Sequence, residues 1–480
     1  MLSEMTKHAE RCAEIVRLTS EALVVSHIDA DGLTSAAIIG RALEDAGIEY
    51  STIFVKQLGE TELSKIADTN PPLTIFTDLG SGVLSEIKEL GITAVVSDHH
   101  QPSTTDTLPA RDELISHLNP HLFGLNGSRE LSGSGTTFLL AHALNRERGG
   151  DNKRGLPSLA VVGAVGDLQH LKDGRLTGAN RTILKIGAEN RELSYAPDIA
   201  FFGKQTRPIF KLLEYATDPY LIGLTGDEDA CIAFLKGVGI RLQGERWRRW
   251  IDLEKKEKQR IVSSLIQHQM KRGVSPQRLE RVVQEVYTLE DETEGTELRD
   301  AQEYSTLLNA TARYDRAEIG FNVCMGDRGG ALEEAERLLK EHRRNLVSGM
   351  KFVKENGVVE LEHLKYFDAG NRIRDTIVGI VAGMSHGIIG DRDLPIVAFA
   401  RASTPHEREE LKVSARATEH LIHKGLNLGA AIHIAAEKVN GTGGGHDIAA
   451  GATIPLETKD EFIQYLNEEI KKQTKKQTTG

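Results

Sequence analysis

The chain has 480 residues, 39% of them hydrophobic and 46 of them glycine, with a formal net charge of −11. That length exceeds one ordinary core and predicts two or three domains. The acidic balance excludes a generic basic nucleic-acid coat but not a local basic groove, and no apolar run reaches the ~18–20 residues of a membrane helix.

The first 21 residues are charged and helical in pattern, with no apolar signal core. Cys12, Cys231 and Cys324 are far apart and odd in number, which argues against a disulfide framework and for a reducing cytoplasm. Short apolar runs then alternate with amphipathic stretches. Strands are predicted over 22–28, 51–56, 73–78 and 93–97, with helices over 33–47 and 81–91. Such alternation predicts an α/β fold with a mostly parallel sheet covered by helices on both faces. Residues 158–168, rich in alanine and glycine, read as a helix, and 102–113 and 146–157 read as loops. Residues 190–355 read as largely helical and charged, ending in a long helix over 331–355 suited to bridging two domains. A second α/β pattern follows: strand 358–364, helix 371–384, strands 394–401 and 411–417, helix 427–439, a glycine cluster, strand 447–454 and a last helix with a frayed polar tail. The expected division is 1–190, 191–355 and 356–480.

Charge is uneven. Residues 241–280 hold eleven Lys/Arg against five Asp/Glu, with Trp247 and Trp250 among arginines, whereas 281–303 hold two against eight. The basic block reads either as a solvated helix face or as a strand contact through charge and stacking.

Acids and imidazoles gather where the first-domain strands end. The first predicted strand runs into His27, Asp29 and Asp31, the third into Asp78, and the fourth into Asp98, His99 and His100. On its own, Asp98-His99-His100 reads equally well as a polar turn. Ligands of open α/β sheets, however, bind outside the carboxyl ends of strands, and neighbouring strands lie about 4.8 Å apart. Carboxylates so crowded do not all stay ionised without a cation between them. Carboxylate and imidazole donors without thiolate suit Mn²⁺ or Mg²⁺ ahead of Zn²⁺ or Fe. The set is too large for one ion and fits a two-metal site. Alternate residues of a strand project the same way, so His27, Asp29 and Asp31 are expected to face one site, with Gly32 permitting the turn that follows. Asp167, after Gly166, reads as a polar helix end unless it joins this cluster. Later, Gly443, Gly444 and Gly445 precede His446 and read as an anion nest or as a flexible connection. Ser414 and Arg416 share a strand face and suit a pair of phosphate oxygens.

Taken in order, "HIDADG", "TDLG", "SDHH", "VGD" and "GGGH" resemble the motifs of the DHH phosphoesterase superfamily, with a C-terminal DHHA1-type domain. The resemblance spans nearly the whole chain and looks most like archaeal RecJ-type single-strand exonucleases. It implies an N-terminal DHH domain, a helical insertion, a smaller α/β DHHA1 domain and an active-site groove between the domains. It further implies that His27, Asp29 and Asp78 hold one metal and that Asp31, Asp78, His99 and Asp167 hold the other. His100 then contacts the scissile phosphate, and Asp98 orients a metal-bound imidazole. His446 faces the cleft with its glycines, and Ser414 and Arg416 bind a substrate phosphate. Asn309 and Arg313 match the substrate-contacting segment of bacterial RecJ, but Leu307 stands where that segment has an arginine. The implied activity is hydrolysis of single-stranded DNA, with RNA a further substrate, from the 5′ end, by two Mn²⁺ or Mg²⁺ ions, in replication and repair. Rivals in the same superfamily are a 3′→5′ exonuclease, a phosphodiesterase for short oligonucleotides or cyclic dinucleotides, and, more distantly, a family II pyrophosphatase. A rival of another class is a replication scaffold that binds the GINS complex.

Overall fold

A computed structural model describes residues 1–102, 114–145, 155–216, 218–385, 393–402 and 409–475. Most of the two loops expected at 102–113 and 146–157, and the end of the polar tail, lie outside the described residues. The chain divides into two compact units, Met1–Arg337 and Leu338–Gly480.

The first unit carries a five-stranded sheet of order β2-β1-β3-β4-β5. Its strands are β1 (Glu21–His27), β2 (Glu49–Val55), β3 (Thr74–Thr77), β4 (Ala94–Ser97) and β5 (Ile115–Leu118). All neighbours are parallel, with Ser26 opposite Thr77 and Thr77 opposite Ser97. That register brings the ends of β1, β3 and β4 into one row. Helices α1 (Leu2–Arg17) and α2 (Ala30–Ala46) precede α3 (Glu60–Thr69) and α4 (Leu84–Glu89). Leu63 and Ile66 of α3 and Ile87 of α4 pack with Leu23, Val25, Phe76 and Val96 of the sheet. Residues of β3 and β4 are buried throughout, which explains why these short strands read as unbroken apolar runs. Helices α5 (Gly133–Asn145) and α6 (Leu156–Gly166) are buried along nearly their whole length, so the expected helix at 158–168 is present.

After α7 (Asn180–Glu189), the segment expected to be largely helical contains an antiparallel ribbon, β6 (Leu193–Ile199) with β7 (Val283–Leu289). Charged residues on half-exposed strands hid its alternation. Between these strands lie α8 (Ile209–Glu214), α9 (Glu228–Gly237), α10 (Lys255–Met270) and α11 (Pro276–Glu280), around a core that includes Phe210, Leu235, Trp250 and Leu265. Helices α12 (Ala301–Arg313) and α13 (Ala317–Met325) follow.

The division between the units falls inside α14 (Gly330–Asn356). The second unit holds a six-stranded mixed sheet, order β12-β13-β11-β10-β9-β8. Here the strand expected over 358–364 is only β8 (Val359–Glu360), and β9 (Lys365–Asp368) provides the longer pairing. Then come α15 (Asp375–Ser385), β10 (Ile396–Arg401), β11 (Glu410–Arg416), α16 (Glu419–His423), α17 (Leu428–Glu437), β12 (Thr442–Gly445), β13 (Ala449–Pro455) and α18 (Lys459–Lys475). Phe399, Val413, Ile432, Ile454 and Phe462 form its main core. Among the described residues, no helix is long and apolar enough to cross a membrane.

Candidate metal centre

The strand ends of the first unit converge as their order requires. β1 ends at His27, and the following residues do not continue as a strand. Asp29 is the N-cap of α2, its carboxylate accepting from the Gly32 N–H at 3.0 Å, and Asp31 is the second residue of the helix. A tight strand-to-helix turn, not strand alternation, therefore gathers the three groups. Gly32 is essential to it, because a Cβ there would lie 2.2 Å from the His27 carbonyl oxygen. Asn309 of α12 steadies the same turn, its Oδ1 accepting from the Ala30 N–H at 2.9 Å.

Asp78 follows β3 with a left-handed backbone, φ 59°. Only 2% exposed, it lies between two sets of donors. Its Oδ2 is 3.6 Å from His27 Nδ1, and its Oδ1 is 3.2 Å from His99 Nε2. His27 Nδ1 is also 3.1 Å from Asp29 Oδ2. His99 lies 3.8 Å from both Asp31 Oδ2 and Asp167 Oδ2. Three overlapping groups of possible ligands result, His27-Asp29-Asp78, Asp31-His99-Asp167 and Asp78-Asp98-His99-His100, each with donor atoms within 4.8 Å of one another; the first two share no residue. Asp78 touches the second group through His99.

Small residues let the walls approach. A Cβ on Gly163 would lie 2.4 Å from Asp31 Oδ1, and one on Gly133 would lie 2.4 Å from Asp78 Oδ1. The first N–H groups of α5, from Gly133 and Ser134, donate to Asp31 at 2.7 and 3.0 Å. A helix N-terminus thus holds a buried carboxylate, as its dipole favours.

Burial pushes Asp31 up to about 7, helped by the Asp78 charge and opposed by His99. It likewise pushes Asp167 up to about 6 against the pull of His99. Burial would lower His27, but Asp29 and Asp78 outweigh it and raise the imidazole to about 11. His99 is held well above its ordinary range in the same way, chiefly by Asp78. Asp29 lies well below the carboxylate range because His27 and the Gly32 N–H overcome its burial. Such opposed shifts mark a site short of positive charge. Asp78 Oδ1, buried and with no well-aligned hydrogen bond despite the nearby His99 nitrogen, is an orphaned acceptor inside it. Hard and borderline donors with no thiolate fit divalent cations.

Asp98 follows β4 and is fully buried. Its Oδ2 accepts from the Ser81 N–H at 2.9 Å, and its Oδ1 accepts from the His99 N–H at 2.7 Å and from His100 Nδ1 at 2.8 Å. The imidazole it steers is that of His100, whereas a metal-bound imidazole was expected. His99 Nδ1 instead meets the Gly127 carbonyl at 2.8 Å, which leaves Nε2 facing the carboxylates. Gln169 links this arrangement to α6: its Nε2 donates to Gly127 O at 2.7 Å and to Asp167 Oδ2 at 3.0 Å, while its Oε1 accepts from Asn180 at 2.7 Å. Gly127, Gln169 and the α5 N-terminus were not anticipated. A carbonyl leaves no mark in a sequence, although the small-residue run "SGSG" at 132–135 was an available signal for the last.

Several expectations change. Trp250 is 1% exposed and donates to Asp198 at 3.0 Å, so it is a core residue and not a stacking platform. Arg248 forms a fork with Glu257 at 2.9 and 2.6 Å, and Arg249 donates to the Gln205 carbonyl at 2.9 Å. Trp247 is 42% exposed, with its ring edge against Phe210. Leu307 is fully buried in α12. Arg313 ends that helix.

In the second unit, Ser414 and Arg416 lie on one face of β11 beneath α15. A Cβ on Gly379 of α15 would sit 2.7 Å from Arg416 Nη2 and 3.1 Å from Ser414 Oγ. Arg416 donates to the Ala415 carbonyl at 2.8 Å and has no carboxylate partner among the described residues. Burial lowers its pKa, with no anion to offset it. Gly443–Gly445 form edge strand β12 and pair with Gly451 and its neighbours, so the run is neither the nest nor the flexible connection expected. Gly429 lets α17 approach Gly445 (φ 133°), since a Cβ on Gly429 would lie 2.1 Å from the Gly445 carbonyl oxygen. His446 is exposed just beyond, its N–H donating to the Ala449 carbonyl at 2.9 Å.

Family models match along the chain: the DHH family, N-terminal domain over residues 21–164, the DHH-CID domain over 201–283 and the DHHA1 domain over 362–472. An uncharacterised protein of Methanocaldococcus jannaschii is 30% identical over 94% of both chains. The chain belongs to the DHH phosphoesterase superfamily, on its RecJ-like side. Membership carries the reaction class, a phosphodiester-hydrolysing enzyme. The single-stranded-DNA-specific exonuclease RecJ of Bacillus subtilis is 28% identical over 38% of this chain but only 23% of its own length. Among solved structures, RecJ of Thermus thermophilus in complex with Mn²⁺ matches 98% of this chain and 55% of its own, with TM-score 0.59 and 18% identity. CDC45 of Entamoeba histolytica matches 98% of both chains, with TM-score 0.61 and 12% identity. These structural likenesses concern the fold.

Proposed function

We propose that this DHH-family enzyme is a metal-dependent exonuclease acting on single-stranded nucleic acid, DNA foremost, and releasing mononucleotides from the 5′ end. The observation that carries it is the pair of donor groups, His27-Asp29-Asp78 and Asp31-His99-Asp167, with Asp78 between them. These residues would hold two divalent cations, Mn²⁺ as the preferred pair and Mg²⁺ as an alternative. When bound, such cations polarise a phosphoryl oxygen and lower the pKa of a coordinated water.

The remaining work falls to the chain. His100 is 58% exposed at its side chain and anchored through Nδ1, which leaves Nε2 to donate to a phosphate oxygen. Asp98 keeps that imidazole in one tautomer and raises its pKa through the hydrogen bond between them. Asp31 is fixed by two backbone N–H groups, so its geometry is set before substrate arrives. Within the second unit, Ser414 and the guanidinium of Arg416, which has no carboxylate partner among the described residues, are the proposed phosphate contact, with His446 and the Gly443–Gly445 edge as companions. With Leu307 buried, selection of a 5′-phosphate rests on this pair. Asn309 acts chiefly by bracing the Ala30 turn, and Arg313 keeps the substrate contact that the RecJ resemblance implies.

The likeness to CDC45 favours a second reading, a replication scaffold that binds a GINS-type partner. The complete ligand set supports an enzyme, and the two roles are compatible. Comparing hydrolysis of a long single strand, a dinucleotide and pyrophosphate tests the substrate class. Cleavage of the long strand is expected, and cleavage of the dinucleotide alone would overturn the exonuclease reading.

A further inference from the structure

Beside the metal centre, within the first unit, lies a cavity of about 260 Å³ walled by the end of α6, the loop after β6, and β7. This is near the small end of ligand cavities. Its lip is unusual. Helix α6 stops in a Schellman arrangement, with Leu168 N–H donating to Val165 O and Gln169 N–H to Ala164 O, both at 3.1 Å. The left-handed position of such a stop is normally glycine. Here it is Leu168, φ 59°, directly after the proposed ligand Asp167 and 59% exposed. A strained backbone therefore holds an apolar side chain out in solvent beside the centre.

Polar groups line the interior. His170 is 6% exposed and makes no hydrogen bond among the described residues, and its Nδ1 is buried without a partner. Burial, with help from Lys204, lowers it to about 4, so the ring is neutral near pH 7. The charged lining groups are spoken for: Lys204 pairs with Asp300 at 3.0 Å, Asp218 with Arg281 and Glu285 with Arg181. Among the described lining residues, a phosphate would find no unpaired Lys or Arg. A neutral ligand with a hydrogen-bonding edge would find His170. Tyr215, 46% exposed, and Phe202 line the cavity, with the Arg207 guanidinium 5.0 and 4.6 Å from their ring centres and the Lys211 ammonium 5.2 Å from that of Tyr215. Aromatic faces with an interleaved guanidinium suit the π-face of a base.

We propose that this cavity receives one nucleobase of the strand being cut, with Leu168 as the wedge that parts it from its neighbour. The proposal rests on the single-strand reading above and extends it to a base subsite between α6 and the ribbon.

The test measures kcat/KM of the full chain with Mn²⁺ on intact single strands and on strands lacking one base at successive positions near the attacked end. Wild type should lose about tenfold when one particular base is missing, the size of one stacking contact. Leu168→Gly, which suits the positive φ, and Tyr215→Ala should lose about tenfold on the intact strand. Both should equal wild type on the strand lacking that base. Equal losses on both strands, or variants that match wild type throughout, would overturn the proposal. So would a wild-type enzyme indifferent to every missing base, with the exonuclease reading left standing. Failure of wild type to cut any single strand would overturn the exonuclease reading and this subsite with it.

Discussion

Gln169 offers a test of how the metal centre is held. It touches no proposed metal position, yet its Nε2 donates both to Asp167 Oδ2 and to the carbonyl that orients His99. Gln169→Leu removes both bonds at nearly constant volume. A hydrogen bond to a charged group contributes about 1.5–3 kcal/mol. Loss of an outer partner of a metal ligand typically weakens binding by about 10–100-fold, which converts to about 1.4–2.7 kcal/mol. The two estimates agree. Calorimetric titration with Mn²⁺ should therefore show one site weakened by about 10–100-fold and the His27-Asp29-Asp78 site nearly unchanged. The Asn180 amide also loses its acceptor, so stability in the absence of metal should fall by about 1–3 kcal/mol. Unchanged Mn²⁺ binding at both sites would refute the reasoning, as would an equal loss at both.

Other outcomes follow from the same geometry. His99→Ala should weaken Mn²⁺ binding, whereas His100→Ala should leave binding intact and slow hydrolysis about a hundredfold or more, a split readable from calorimetry beside turnover. Metal binding should release protons near pH 6–7, because Asp31 and Asp167 sit at about 7 and about 6 and bind cations only when ionised. As raised acids they add stability below the unfolded carboxylate pKa and lose it as pH rises through those values, so metal-free stability should decline across that window and Mn²⁺ should restore it. Thermal melts with and without Mn²⁺ at pH 5 to 8 check this. Trp250→Ala should cost about 3–5 kcal/mol in urea unfolding, whereas Trp247→Ala should cost far less.

Much of the centre was legible because its residues sit where hydrophobic runs stop. Asp78 and Asp98 each follow a four-residue buried strand, and a parallel sheet brings such ends together without further information. The His27–Asp31 stretch has the look of strand alternation, since a strand-to-helix turn and a continuing strand look alike over five residues. The role of Asp98 was half visible: that it steers an imidazole, but not which one, because His99 and His100 differ only in the acceptor each Nδ1 finds. Trp250 was obscured by its arginine neighbours, whose partners Asp252 and Glu257 lie in the same charged run. The ribbon β6–β7 pairs residues about ninety apart, with exposed polar side chains that left no clean period. Backbone partners such as Gly127 emerge only from the fold.

The most direct measurement uses single strands labelled at either end, incubated with the full chain and Mn²⁺ or Mg²⁺, alongside Asp78→Ala. Stepwise release of mononucleotides is expected, with label lost first from the 5′ end, none after chelation and none with Asp78→Ala, because Asp78 belongs to one donor group and contacts His99 of the other. An unchanged rate for Asp78→Ala in Mn²⁺ would contradict the two-metal centre.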